Sequence, residues 1–469
     1  MQLDSLYRRF EQSKGVNTDT RLLRAGEMFF ALTGPRYDAN RFVAEALEKG
    51  ASTVVCSKAA GELPQSDRLW PVDDPLNTLQ QLARYHRKRL SCDVLAITGS
   101  NGKTTTRRLA AAMLSKSYEV FSTPANWNNY IGLPLSLLRM HNRHEVAILE
   151  LGANQPGENR TLAQWAMPKA GLITNIGKDH LEGFGSEEGV LTANLELFDE
   201  LARHAGFAWV DHHQPDLLQA ARERGLPVRL YAAENPSPSV RLQVELIESA
   251  PELVVELTEA DTHYSVEVST HILGAFQLQN IAAAAAIAYS YDVPVDKIAR
   301  ALAEFRPDDR RMQPIDLPQG GKLILDAYNA NPSSMEAGIQ SFSEMKSDQG
   351  KWVILGDMSE LGGYAAEEHY RIITQLEALS PGFEKILLIG PRFENALESF
   401  LSQELLSMHR GSPAPVRLFE QPQKAVSFPD AHHLRVYLSS SPEWQEKWLY
   451  VKASRALELE NAFPREVLP

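Results

Sequence analysis

Cysteine is scarce in this sequence: Cys56 and Cys92 are the only two among 469 residues. So small a count argues against a disulfide framework and against a cysteine-based metal site. Long hydrophobic runs are also missing. No apolar stretch reaches the roughly 18 residues needed to span a bilayer, and the opening segment MQLDSLYRRFEQ lacks an apolar core of signal-peptide type. A cytoplasmic location is therefore expected. Positive charge is in deficit as well. A formal net charge of -13 argues against a general nucleic-acid or anionic-membrane surface. It leaves room for an anionic small molecule, held by oriented backbone N–H groups and a few Lys or Arg. No internal repeat of fixed period is present, and nothing in the chain calls for more than a monomer.

What remains is ordinary globular material, 43% hydrophobic and 23% charged. The length suggests about one domain per 150 residues, hence about three. Residues 1–90 mix short strand patterns (MFFAL, STVVC) with the amphipathic helix RFVAEALEKG and the longer helix PLNTLQQLARYHRKRL. Residues 91–309 open with the apolar strand DVLAIT, a Gly-rich turn and the helix TTTRRLAAAMLSKS. EVAILEL and AGLITNI repeat the strand-into-loop theme. Strands alternating with helices indicate an α/β fold with a parallel, doubly wound sheet. Residues from about 205 to 272 are expected to form added antiparallel strands, followed by the alanine-rich helix NIAAAAAIAYSY. Residues 310–469 carry four more apolar strands (KLILDAY, KWVILGD, KILLIG, KWLYVKA) and predict a second, Rossmann-like α/β sheet.

The sharpest chemical signal is TGSNGKTT (98–105), between an apolar strand and a helix. Glycines let the backbone fold around phosphate oxygens, and the helix start aims free N–H groups at them. Lys103 is placed to meet the β- and γ-phosphates, and the Thr104 hydroxyl to ligate Mg²⁺. The spacing departs from the usual phosphate loop, since Ile97 stands where its first glycine would fall. Glu150 ends the strand VAILEL, where a carboxylate beside such a loop can hold Mg²⁺; the plainer alternative is a solvated strand-end glutamate. His180, in TNIGKDHLEGFGS after another strand of the same sheet, is a candidate metal ligand rather than a lone surface histidine. Asn126, Asn128 and Asn129 share one loop, and by local chemistry they read as turn formers.

TDTR (18–21), FFALTG (29–34), ITGSNGKTTT, NWNNYIGLP, ELGANQPGE, TNIGKDHLEGFGS, LDAYNANPSSM (325–335), LGDMSELG (355–362) and VKASR (451–455) span the chain and keep their order. Together they resemble the Mur ligase family, which builds the peptidoglycan precursor. The resemblance implies an ATP- and Mg²⁺-dependent amide-bond ligase working through an acyl phosphate. DAYNANPSSM and LGDMSELG favour D-alanyl-D-alanine and UDP-N-acetylmuramoyl-tripeptide as its substrates. It implies three units: a UDP-sugar-binding one over 1–90, the ATP-binding phosphate-loop unit over 91–309, and over 310–469 a unit that closes over the nucleotide and takes the dipeptide. By resemblance, Lys103, Glu150, His180 and Asn194 occupy catalytic positions, with Thr104, Glu150 and His180 ligating Mg²⁺ or closely supporting it. Gly99, Asn101, Gly102, Lys103, Thr104 and Thr105 match the phosphate loop, and Asn280 a position near the adenine. Arg311, Asp326, Tyr328, Asn329 and Asn331 match the positions that close over the nucleotide, and 280–311 brackets the expected hinge. Thr20, Arg21 and Gly34 match the UDP-sugar unit.

Three residues depart from the family pattern. Asn194 stands where a lysine, carbamylated by CO₂, usually holds a second Mg²⁺; an asparagine brings no charge and offers a neutral carbonyl at most. Gln277 replaces an asparagine, and Ala453 replaces a glycine, which matters only if the native φ is positive. These departures keep two alternatives open: a diverged amide ligase of the same superfamily with another substrate, and a non-catalytic relative that binds nucleotide or precursor. The TDTR…FFALTG pattern weighs against the first, and retention of Lys103, Thr104, Glu150 and His180 against the second.

Overall fold

The computed structural model describes residues 2–35, 37–59, 61, 63–235, 239–249, 251–409 and 424–468. Three sheets carry the α/β architecture. The first is a parallel four-stranded sheet, in the order Val16–Asn17, Met28–Phe30, Thr53–Ser57 and Leu69–Val72. Helix Pro75–Arg87 follows it. Asp74 caps that helix by accepting from Leu76 and Asn77 N–H, and Pro75 begins it, where the missing N–H costs nothing.

The second sheet has six parallel strands in the order Val228–Tyr231, Phe207–Asp211, Ala170–Ile173, Asp93–Thr98, Val146–Glu150, Val120–Ser122. Its centre is DVLAIT, where every residue after Asp93 is buried, as a strand covered on both faces requires. The antiparallel strands expected over about 205 to 272 form only in the later part of that stretch. Residues 207–231 are not antiparallel: two short strands extend the parallel sheet and are joined by helix Pro215–Glu223. Only Leu242–Glu248, Val254–Glu259 and Ser265–Ser269 form the antiparallel three-stranded sheet.

Helix Leu278–Tyr289 then packs on the phosphate-loop helix Lys103–Leu114. Nine of its twelve residues are buried, and its alanines let the two backbones approach closely. The third sheet is mixed, in the order Gln313–Asp316, Lys322–Asp326, Trp448–Lys452, Lys351–Gly356, Lys385–Ile389, Ala425–Phe428. The four apolar runs read from the sequence form its middle. The two edge strands carry little sequence signal because they are short and only partly buried, and one is antiparallel and contains Pro314. The last strand in the chain inserts at the centre, so the third unit closes on its own C-terminal segment. Among the described residues no helix is long and apolar enough to cross a membrane.

Candidate active site

The carboxyl ends of the central strands open onto a cleft of about 510 Å³, roofed by the third unit. Open parallel sheets bind ligands at this edge. The phosphate loop lies in its floor, with Gly99 at φ 125° and Gly102 at φ 80°, a region that side chains rarely adopt. The loop is pinned to the neighbouring strand's exit. Ser100 N–H donates to Asn175 O at 2.9 Å, Asn101 N–H to Asn175 Oδ1 at 3.0 Å, and Thr174 Oγ1 to Asn101 O at 2.6 Å. A Cβ on Gly102 would fall 2.1 Å from Asn280 Oδ1. Gly102→Ala is therefore expected to cost about 1–3 kcal/mol in backbone strain and to weaken nucleotide binding. Thermal melting together with nucleotide titration checks this, and wild-type values in both would contradict it.

Lys103, in the first turn of the helix, donates from Nζ to Gly99 O at 2.5 Å and Ser100 O at 2.9 Å, with Asp179 Oδ2 3.7 Å away. Thr104 Oγ1 donates to Glu150 Oε1 at 3.2 Å. Glu150 is no solvated strand end, being only 2% exposed. Its Oε1 also accepts from Asn128 Nδ2 at 2.9 Å, and its Oε2 from Arg107 Nε at 3.0 Å. Asn128 thus does more than form a turn, whereas Asn129 does form one, accepting from the N–H groups of Ile131 and Gly132. Neither Asn128's partner nor Arg107 was read from the sequence, because both contacts join segments far apart in the chain.

His180 also lines the cleft, with φ at 47°. Burial alone draws its imidazole pKa down, but the Glu360 hydrogen bond and the charges of Asp179 and Glu360 outweigh that, so the net shift is upward. Glu360 Oε2 lies 2.7 Å from His180 Nδ1. Asn280 accepts from Thr106 Oγ1 at 3.1 Å and donates to Gln277 Oε1 at 2.6 Å, so the longer Gln277 side chain locks Asn280 in place.

From the third unit, Arg311 donates to Thr104 Oγ1 at 3.3 Å and lies over the Tyr328 ring at 3.9 Å. Asp326 accepts from Lys452 Nζ at 2.7 Å and from Tyr450 OH at 3.1 Å, and Asn329 O accepts from Lys452 at 3.2 Å. Asn331 caps helix Pro332–Glu344 and also donates to Asn101 Oδ1 at 2.9 Å and Asp179 Oδ1 at 3.1 Å. Residues more than two hundred positions apart therefore meet over one phosphate loop.

Two groups stand elsewhere. Thr20, Arg21 and Gly34 do not line the cleft; Arg21 pairs with Asp19 at 2.6 Å, and Gly34 lies against the Tyr37 ring. Asn194 is buried behind the loop. Its Oδ1 accepts from Thr98 Oγ1 at 2.9 Å and lies 3.5 Å from Asn159 Nδ2, and its Nδ2 donates to Val190 O at 2.8 Å. Ala453 does not have a positive φ, so the extra methyl carries no backbone strain.

Among the described residues, no three His, Cys, Asp or Glu side chains cluster as a metal site. The donor chemistry still fits Mg²⁺, which keeps several waters and takes one or two protein oxygens besides substrate phosphates. Thr104 Oγ1 and Glu150 Oε1 are such a pair. His180, a nitrogen donor, suits support through water better than direct ligation.

A phosphate loop on a parallel sheet, overhung by a second α/β sheet whose side chains reach the loop, defines a multidomain phosphate-loop protein. The model of the Mur ligase middle domain matches residues 97–288, and that of the Mur ligase, glutamate ligase domain matches 310–431. The chain belongs to the Mur ligase family. It is 35% identical over 353 residues to the UDP-N-acetylmuramoyl-tripeptide--D-alanyl-D-alanine ligase of Bacillus subtilis, covering 74% of each chain. It is 32% identical over 378 residues to the Escherichia coli enzyme of the same name, covering 80% of this chain and 81% of that one. Among solved structures, MurF from Acinetobacter baumannii superposes with a TM-score of 0.78 at 26% identity, over 98% of this chain and 97% of that one. MurF ligase from Thermotoga maritima in complex with ADP gives a TM-score of 0.78 at 24% identity, over 97% and 96%, a likeness of fold.

Proposed function

We propose that this chain is a cytoplasmic, ATP-dependent ligase that joins D-alanyl-D-alanine to UDP-N-acetylmuramoyl-tripeptide, a step of peptidoglycan precursor synthesis. The likeness to relatives bearing that activity in their names, over three quarters of the chain, supports the choice of substrates. The observation that carries the reading is the meeting of Arg311 and Asn331 from the third unit with Thr104 and Asn101 of the phosphate loop. Residues 1–90 take the UDP-sugar, 91–309 the ATP, and 310–469 the dipeptide, and the protein works as a monomer.

A carboxylate is a poor electrophile until one of its oxygens becomes a good leaving group. Transfer of the γ-phosphoryl group to the terminal carboxylate of the tripeptide provides this, and the dipeptide amine then displaces phosphate to form the amide. Two anions must meet in the first step. Lys103 supplies fixed positive charge there, and the loop N–H groups orient the phosphates. Bound Mg²⁺, held by Thr104 and Glu150, would further neutralise the phosphate oxygens. Asn331 and Arg311, donating across the cleft, hold the third unit down and keep water from the acyl phosphate.

The same reading assigns Asn194 a structural part. Both ends of its amide are engaged, so it anchors Thr98, the residue before Gly99, without an anion derived from CO₂. Turnover is expected to be the same in bicarbonate-stripped and bicarbonate-supplemented buffer. Loss on stripping, with recovery on readdition, would contradict this. The function itself is tested by phosphate release with ATP, precursor and dipeptide each omitted in turn. Release is expected only with all three; release that ignores the dipeptide would oppose the reading.

A further inference from the structure

The segment Glu360–Tyr364 of the third unit sits on His180–Gly185 of the central unit. Besides the Glu360–His180 contact, the Glu182 N–H donates to Glu360 O at 3.1 Å, and Tyr364 OH donates to Gly185 O at 2.8 Å. Nearby, Lys178 Nζ meets Glu368 Oε1 at 2.5 Å, and the Lys178 N–H donates to Ser333 Oγ at 3.0 Å. His180 and Glu360 face each other with φ of 47° and 62°, a conformation that side chains avoid unless the surroundings impose it. Gly362 (φ 53°) packs so tightly on Glu182 that a Cβ there would lie 3.2 Å from the Glu182 Cβ. Two strained loops from different units thus meet at a carboxylate and an imidazole.

An ionised carboxylate only accepts hydrogen bonds, so the Glu360 contact places a proton on His180 Nδ1. That fixes the ring's orientation and leaves Nε2 on the cleft side, 3.7 Å from Asp179 Oδ1. We infer that Glu360 is a positioning residue, supplied by the third unit, which orients the His180 imidazole toward the cleft. The site on the central unit is then fully ordered only when the third unit is docked. Domain docking and the chemical competence of His180 become one event, without Glu360 touching substrate. The inference rests on the proposed role of His180.

The test compares Glu360→Ala, Glu360→Asp, His180→Gln and the Glu360→Ala/His180→Gln double variant in the full-length protein. Glu360→Ala is expected to lower kcat about 10–100-fold, the usual effect of removing a partner that orients a functional histidine. KM for ATP should change little, and Glu360→Asp should recover part of the loss. The double variant is expected to be no worse than His180→Gln alone. The Glu360 side chain is half exposed, so its removal should leave the melting temperature near wild type.

A second readout does not depend on turnover. In ¹⁵N-histidine-labelled protein at alkaline pH without Mg²⁺, the resonances missing from His180→Gln identify His180. They should show a protonated Nδ1 in the wild type and the Nε2–H form of free histidine in Glu360→Ala. An unchanged tautomer in Glu360→Ala overturns the inference. So does wild-type turnover in Glu360→Ala while His180→Gln is crippled, an outcome that leaves the role of His180 standing. Wild-type turnover in His180→Gln removes that role and the inference with it.

Discussion

Lys103→Met should leave a folded protein whose kcat is lower by a factor on the order of 10²–10³, the usual loss when one fixed charge or donor is taken from a transition state. Phosphoryl transfer to a carboxylate joins two anions in a cleft already carrying Glu150 and Asp179. Among the described lining residues the lysines and arginines are Lys103, Arg311 and Lys452, and Lys452 is already paired with Asp326 at 2.7 Å. Arg311 reaches the loop only from the third unit. Lys103 alone extends from the loop itself, and its side chain is 18% exposed. Its hydrogen bonds go to two loop carbonyls, so methionine, of similar length, should disturb folding little. Steady-state phosphate release and thermal melting check both parts. A changed KM with an unchanged kcat would show that Lys103 binds ground state and transition state alike.

Arg107→Met is expected to produce the largest loss of stability, about 3–5 kcal/mol, because it strands a buried carboxylate. Arg107 and Glu150 have side chains 5% and 3% exposed. The guanidinium also donates to Ser122 Oγ at 2.6 Å and to Ala125 O at 3.2 Å, so one fork ties the phosphate-loop helix to a strand end and to the loop bearing Asn128. Without it the Glu150 charge keeps, among the described residues, Asn128 and Thr104 as hydrogen-bond donors. Glu150→Gln in the same background removes the stranded charge and should recover part of the loss. Denaturant midpoints of the two single variants and the double give the answer. A cost below about 1 kcal/mol for Arg107→Met, the size of a surface pair, would mean the pair is solvated in solution.

The parts legible in the sequence were those written in contiguous residues. DVLAIT, the glycines after it and TTTRRLAAAML state strand, loop and helix in order, and the structure follows them. The long apolar runs of the third unit were equally plain. Short, half-buried elements were not. Val228–Tyr231 has only one buried residue, so its membership of the parallel sheet shows only in its pairing with Phe207–Asp211. Helix Pro215–Glu223 is signalled in the sequence by little more than Pro215 at its start and the apolar face of Leu217, Ala220 and Ala221.

Side-chain partners were the least visible. Glu150 could be placed at a strand end, but its burial by Arg107 and Asn128 depends on how helix, loop and strand converge. Asn194 was recognisable as a position lacking charge. That its amide is taken up by Thr98 Oγ1 and Val190 O depends on how helix Glu187–Arg203 packs on the central strand. The Glu360–His180 contact spans two units, and no spacing rule reaches that far.

Ligation through an acyl phosphate is open to a direct isotope experiment. UDP-N-acetylmuramoyl-tripeptide labelled with ¹⁸O in its terminal carboxylate is incubated with ATP, Mg²⁺, D-alanyl-D-alanine and the protein, and the products are weighed by mass spectrometry. The expected product carries the added dipeptide and one ¹⁸O, with the other ¹⁸O in the released phosphate. Unlabelled phosphate, or hydrolysis of ATP with no dipeptide joined to the precursor, would contradict it.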